Sequence, residues 1–251
     1  MRRVTLLVIV LIIFATVQIL RAFDGNVVEA ISGINGTNAG MNIDVTEEKS
    51  IDVPSICQYP ELPTGCESVV ATMLLQYYNE DITAQEFAGD WLECSTDFYT
   101  VNGTDYGPDP HEVFAGDPFS EYSYGCFAKP IADAINSNSS ICKAEIITDK
   151  SLEELCSEYI DNNEPVLIWA TMNMKESYEG NSWHLDDGSL FTWTAQEHCL
   201  VLVGYNDDCY FMNDPMTGST IAYEKEIVEA RFAELGNQAI HLSSEKSGVL
   251  C

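Results

Sequence analysis

The sequence predicts a single α+β domain: a helix that opens on a cysteine, packed on an antiparallel β-sheet. Three observations carry that prediction. Helical periodicity dominates the first half of the chain and strand-length apolar runs dominate the second. The stretch QYPELPTGCESVVATMLLQYYN, residues 58–79, puts Cys66 on the first turn of a periodic segment. With 251 residues, 46% of them hydrophobic, the chain is long enough for one large core.

In chain order, Arg2 and Arg3 precede an uncharged, mostly apolar run of 17 residues, 4–20. That run is longer than the ~7–15-residue core of a signal peptide and at the short end of the ~17–25 residues of a membrane span. Residues 1–23 therefore read as a cleaved signal or as a single N-terminal membrane anchor. Either one places the remainder outside the cytoplasm, secreted or anchored to the outer face of the membrane. Residues 24–50, rich in Gly, Asn, Ser, Thr and acid, read as a polar linker, 51–244 as the folded domain and 245–251 as a tail.

Within the domain, 51–54 is expected as a short strand, and Pro60 and Pro63 as an extended approach to the helix. Val69, Val70, Met73, Leu74, Tyr77 and Tyr78 then recur at helical spacing over 66–79. Thr83 with Glu86, and Ser151 with Glu154, have the spacing of capping boxes, predicting helices from 83 and over 151–162. Between them, 99–124 reads as a long loop dense in Gly, Pro, Asp and aromatics, and 129–138 as a short helix. The runs 165–171 and 199–203 are strands buried on both faces. Residues 206–208 turn the chain into a partner strand at 209–213. Shorter strands at 221–223 and 238–242 flank a helix over 225–235, which Gly236 terminates.

Charge and cysteines narrow the function. The formal net charge of −29, from 40 acidic and 11 basic residues, repels nucleic acid and anionic membrane surfaces, and excludes both as partners. A cationic peptide would be attracted. Nine cysteines in an exported chain leave one thiol over; if it is Cys66, the other eight permit as many as four disulfides. No C-x-x-C pair occurs, so neither a zinc ribbon nor a thioredoxin-type motif is supported.

Cys66 is the candidate nucleophile, because the unpaired N–H groups and dipole of a helix start favour a thiolate. Half of a disulfide, or a small buried residue, is the competing assignment. His198 opens a buried strand, and Asp214 ends the return strand. A hairpin centred on residue 206 sets the two opposite or nearly opposite each other on the same face, where a carboxylate can orient a catalytic imidazole. Each also has an ordinary alternative, a satisfied core histidine and a turn aspartate. Gln58 could donate its amide to an oxyanion, or could be a turn residue. Glu197, Trp193 and Asp109 are candidates for substrate contact, with packing as the alternative.

These residues carry a resemblance. The order Gln58, Cys66, His198, Asp214 resembles a papain-like cysteine peptidase. The segments Q-x-P-E-L-P-T-G-C-E, G-P-D-P-H-E-V-F-A-G-D-P, Y-G-C-F-A-K-P-I, P-V-L-I-W-A-T and E-H-C-L-V-L-V-G-Y with N-D-P resemble, more narrowly, stand-alone relatives of the bacteriocin double-glycine leader peptidases. The resemblance covers about 51–242 and implies a papain-like fold and a thiol hydrolase acting on a peptide or protein substrate. It assigns Cys66 as nucleophile, His198 as base and acid, Asp214 as orienting carboxylate and Gln58 as oxyanion donor. No metal or organic cofactor is implied. With no transporter segments following, the leader-processing role of transporter-fused members is not expected. A cysteine-dependent acyltransferase, and a disulfide-stabilised extracellular binding or adhesion module without catalysis, are the competing functions.

Overall fold

The computed structural model describes residues 48–244, which belong to one compact unit. The 1–23 segment, all but the last three residues of the 24–50 linker, the 245–251 tail and Cys251 lie outside the described residues. No described helix is long and apolar enough to cross a membrane.

Thirteen strands are described: β1 (Lys49–Ser50), β2 (Cys94–Ser95), β3 (Tyr99–Val101), β4 (Thr104–Tyr106), β5 (Phe114–Ala115), β6 (Cys142–Ile147), β7 (Val166–Thr171), β8 (Tyr178–His184), β9 (Leu190–Ala195), β10 (Glu197–Tyr205), β11 (Cys209–Asp214), β12 (Ser219–Glu224) and β13 (Ala239–Ser244). Seven of them form one antiparallel sheet in the order β12-β11-β10-β7-β13-β6, with β1 pairing the end of β10 beyond β7. All six residues of β7 and the first eight of β10 are buried, as their unbroken apolar runs require.

Helix α1 (Cys66–Tyr77) packs across β10 and β7. Its first ten residues are all buried, Glu67, Ser68 and Thr72 included, so it is enclosed on every side rather than amphipathic. Thr72 is satisfied within the helix by donating to the Ser68 carbonyl (2.8 Å). Around this centre lie α2 (Ala84–Glu86), which runs into a π-helical turn at Phe87–Trp91, then α3 (Ala128–Asn138), α4 (Leu152–Glu158) and α5 (Lys225–Glu234). Both capping boxes form as their spacing predicts, and Gly236 closes α5 with a φ of 83°.

Several expectations are corrected. The strand expected at 51–54 lies just before it, as β1; Ile51 still donates to the Val203 carbonyl (2.7 Å), and the chain then leaves the sheet. The prolines do not extend the approach to α1: Tyr59–Pro60 is cis and Leu62 N–H closes a turn onto the Gln58 carbonyl (2.8 Å). Helix α1 stops at Tyr77, with Asn79 left-handed at φ 67°. Helix α4 stops at Glu158, and 160–162 is a separate 3-10 turn. The 99–124 segment is not a plain loop, since it holds β3, β4 and β5. Two of these join β8 and β9 in a second sheet, β3-β4-β8-β9. The disulfide framework is also absent among the described residues, where all eight cysteines are free thiols. Several of them, such as Cys142 and Cys156, serve as small buried core residues.

Candidate active site

The N-terminus of α1, the start of β10 and the end of β11 meet at one end of the large sheet. No side chain caps α1, whose N-cap is Gly65. Cys66 is only 6% exposed, and His198 and Asp214 are 2% and 1% exposed.

His198 and Asp214 come together. Nε2 of His198 donates to Oδ1 of Asp214 at 3.0 Å in a fully enclosed setting. The same carboxylate accepts from the Met216 N–H (2.8 Å) and the Tyr223 hydroxyl (3.1 Å). Burial alone would raise the Asp214 carboxyl, but His198, Met216 and Tyr223 outweigh it and hold the group below its ordinary value. The pairing register differs from the symmetric hairpin expected. Val201 faces Asn213, and an irregularity between Leu202 and Gly204 shifts the ladder. Continued outward from Val201 and Asn213, the register sets Asp214 opposite Leu200, so His198 reaches it diagonally along the same face.

Alternation along β10 turns Glu197 and Cys199 to the other face, toward Cys66. The Cys66 thiol donates to Oε2 of Glu67 at 3.3 Å, and among the described residues no hydrogen bond joins it to His198. Ligand atoms of Cys66, Glu67 and Glu197 all lie within 4.8 Å of one another. The Cys199 thiol donates weakly to Oε1 of Glu197 at 3.9 Å, and its neighbourhood lowers the Cys66 thiol. The other oxygen of Glu67 is held by the Cys126 N–H (2.7 Å), and the Cys126 carbonyl by the Trp169 indole (2.9 Å).

This environment reverses the acidity expected of a helix-start thiol. The contact with Cys199 pulls Cys66 down, but burial and the charges of Glu67 and Glu197 together prevail and push it up to about 12. Burial likewise raises Glu67, and burial together with the charge of Glu67 raises Glu197. Among the described residues, Cys66, Glu67 and Glu197 are the group whose ligand atoms lie close enough together to hold a metal ion, and Cys199 lies beside Glu197.

Gln58 is buried beside the Asp214 turn, its N–H donating to the Pro215 carbonyl (2.8 Å). Its side-chain amide donates to the Pro63 carbonyl (2.9 Å) and leaves Oε1 without a partner. One amide N–H remains for another acceptor. Glu197 is buried against the thiol and not open in a cleft. Trp193 is 8% exposed and packs on Tyr124 and Phe127. Asp109 accepts from the His111 N–H and its carbonyl from the Glu112 N–H, the bonding of a turn. It also lines a cleft of about 780 Å³ with Phe98, Tyr99 and Leu185, whose lining includes none of Cys66, His198 or Asp214.

Sequence reasoning missed Glu67 and Cys199 as neighbours of the thiol, and Tyr223 as a partner of Asp214. An acid directly after the cysteine in a helix buried all round was the available signal for Glu67.

A family model described as the Peptidase C39 like family matches residues 50–240. The protein YvpB of Bacillus subtilis (strain 168), named as uncharacterized, is 25% identical over 181 residues, covering 72% of this chain and 70% of that one. A crystal structure from Bacillus anthracis, described provisionally as a C39-like peptidase, is 27% identical, with a TM-score of 0.69 over 78% of this chain and 98% of that one.

Proposed function

The chain belongs to the Peptidase C39 like family, with the papain-like α+β fold, and on that premise we propose that it cleaves peptide or amide bonds through an acyl-thioester on Cys66. The observation that carries this reading is the enclosed His198–Asp214 hydrogen bond (3.0 Å), on the strand whose flanking residues pack on Cys66. Asp214 occupies Nε2 and fixes the ring, which leaves Nδ1 as the nitrogen that takes a proton.

Catalysis requires the Cys66 sulfur to leave Glu67 and come within reach of His198. His198 then accepts the thiol proton, the sulfur attacks the substrate carbonyl, and the imidazolium gives the proton to the leaving amine. Water, deprotonated by His198, releases the acyl group. The free N–H of the Gln58 amide, with the backbone N–H at the start of α1, would donate to the oxyanion. The 1–23 segment argues for action outside the cytoplasm, on a peptide or protein substrate. The binding-module alternative depended on disulfides, and the eight free thiols weaken it.

The test is the rate of Cys66 alkylation by iodoacetamide against pH, read by mass spectrometry on reduced, chelator-treated protein, wild type beside His198→Ala. The inward thiol is unreactive, so a limb below the free-thiol value of ~8.5 reports the sulfur facing His198. The wild type should show that limb and His198→Ala should lose it. Identical profiles rising only near or above ~8.5 would remove the peptidase reading.

A further inference from the structure

We propose that Cys66, Glu67, Glu197 and Cys199 form a binding site for a soft divalent cation of the zinc type, which holds the Cys66 sulfur inward and away from His198. The regulatory half of this statement rests on Cys66 being the nucleophile; the binding half does not.

The donor set is two sulfurs and two carboxylates, the ligand types and number of a tetrahedral zinc ion. Three of the four converge within 4.8 Å in a buried space, and the Cys199 sulfur lies 3.9 Å from Glu197 Oε1 at its edge, as the fourth ligand. Two contacts shape the cluster. The Cys126 N–H fixes one oxygen of Glu67 and leaves the other turned to the Cys66 sulfur. Gly125 permits the two carboxylates to converge, since a Cβ there would lie 2.4 Å from Glu67 Oε1 and 3.2 Å from Glu197 Oε2.

None of the described ion pairs includes Glu67 or Glu197. Among the described residues, the Glu197 side chain receives only the weak 3.9 Å contact from Cys199, although it is 7% exposed. Buried without a basic partner, the two carboxyls hold their protons, and a bound divalent cation would replace those protons. On metal uptake each thiol loses its proton to solvent and its sulfur binds the ion, with no change of oxidation state. The sulfur that would attack a substrate is then a ligand, so the ion acts as a reversible lock.

Cobalt(II) is the probe, titrated into the full-length, reduced, chelator-stripped protein. One equivalent should bring thiolate-to-cobalt charge-transfer absorption in the near ultraviolet and intense visible bands of a four-coordinate ion, both displaced by one equivalent of Zn²⁺. Cys66→Ser and Cys199→Ser should each lose about half of the charge-transfer intensity and weaken Zn²⁺ binding by at least ~10-fold. Cys94→Ser, in exposed β2, should change neither. A measurement on the wild type alone guards against variants that do not fold: Zn²⁺ should slow alkylation of Cys66 and Cys199 together by at least ~10-fold. Folded wild type without charge-transfer bands, or bands surviving in the Cys66→Ser/Cys199→Ser double variant, would overturn the site. Cobalt binding in a protein with no low-pH alkylation limb would sustain the site and remove the peptidase reading. A low-pH limb without cobalt bands would do the reverse.

Discussion

At the scale of single residues, Cys66 experiences two influences of opposite sign, and their sizes decide its chemistry. A helix N-terminus contributes about 0.3–1 kcal/mol in favour of a negative group, less than one unit of pKa. Removal from water next to two carboxylates acts in the other direction and is larger, which is why the inward thiol is pushed up to about 12. The same burial stores a pH-dependent instability in Glu67, raised from 4.5 to about 7. A carboxyl whose folded value is raised binds its proton more tightly folded than unfolded. Its contribution is full below about 4.5 and is lost as pH rises through about 7. In chelator, wild-type stability should therefore fall across that window. Glu67→Gln, which keeps an acceptor for the Cys126 N–H, should flatten the fall and gain about 1–3 kcal/mol at pH 8. Urea denaturation at pH 5 and pH 8 measures both. A variant less stable than wild type at pH 8 would show that the carboxylate is compensated by something other than a proton.

At the scale of elements, β10 organises the site, because one strand supplies Glu197 and Cys199 to one face and His198 to the other. Its irregularity at Gly204 sets the register that brings His198 diagonally to Asp214. Gly204 is also where β1 approaches, and a Cβ there would lie 2.2 Å from the Lys49 carbonyl oxygen and 2.9 Å from the Phe211 ring. Gly204→Ala should displace β1 and cost about 1–3 kcal/mol, lowering Tm by roughly 2–4 °C per kcal/mol. Unchanged thermal unfolding, with amide protection of Ile51 intact, would show that β1 yields without cost. The central strands, the α1 start, both capping boxes and the pairing of His198 with Asp214 were legible in the sequence, since burial and caps leave periodic and local signatures. The second sheet was legible too and was overlooked. Asn102-Gly103, with φ of 54° and 82°, forms a tight hairpin turn, and Gly188, with φ of 84°, turns β8 into β9. The inward turn of Cys66 left no trace in spacing, because it depends on how the adjacent Glu67 is buried and held by the distant Cys126 N–H.

At the scale of the whole molecule, 11 basic residues cannot pair one-to-one with 40 acidic ones, so most carboxylates have no counter-charge in the chain. Self-repulsion of this kind opposes the compact state and is screened by salt, with a Debye length falling from about 30 Å at 0.01 M to about 8 Å at 0.15 M. The exposed pairs, Lys129 with Glu112 and Asp133 and Lys150 with Glu158, would be weakened by the same salt. Exposed pairs contribute only about 0–1 kcal/mol each, so repulsion should prevail and the sign of the salt effect should be stabilising. Sodium chloride raised from about 0.01 to 0.15 M should increase Tm, by roughly 2–4 °C for each kcal/mol of repulsion removed. The field that destabilises the fold also draws a cationic peptide toward it, so the same salt should raise KM for a lysine-rich substrate more than for a neutral one of equal length, with kcat unchanged. The two effects have opposite signs and one cause. A Tm that falls with salt would mean that the few ion pairs outweigh the repulsion, whereas equal salt effects on both substrates would confine the acidic field to surfaces that substrate never approaches.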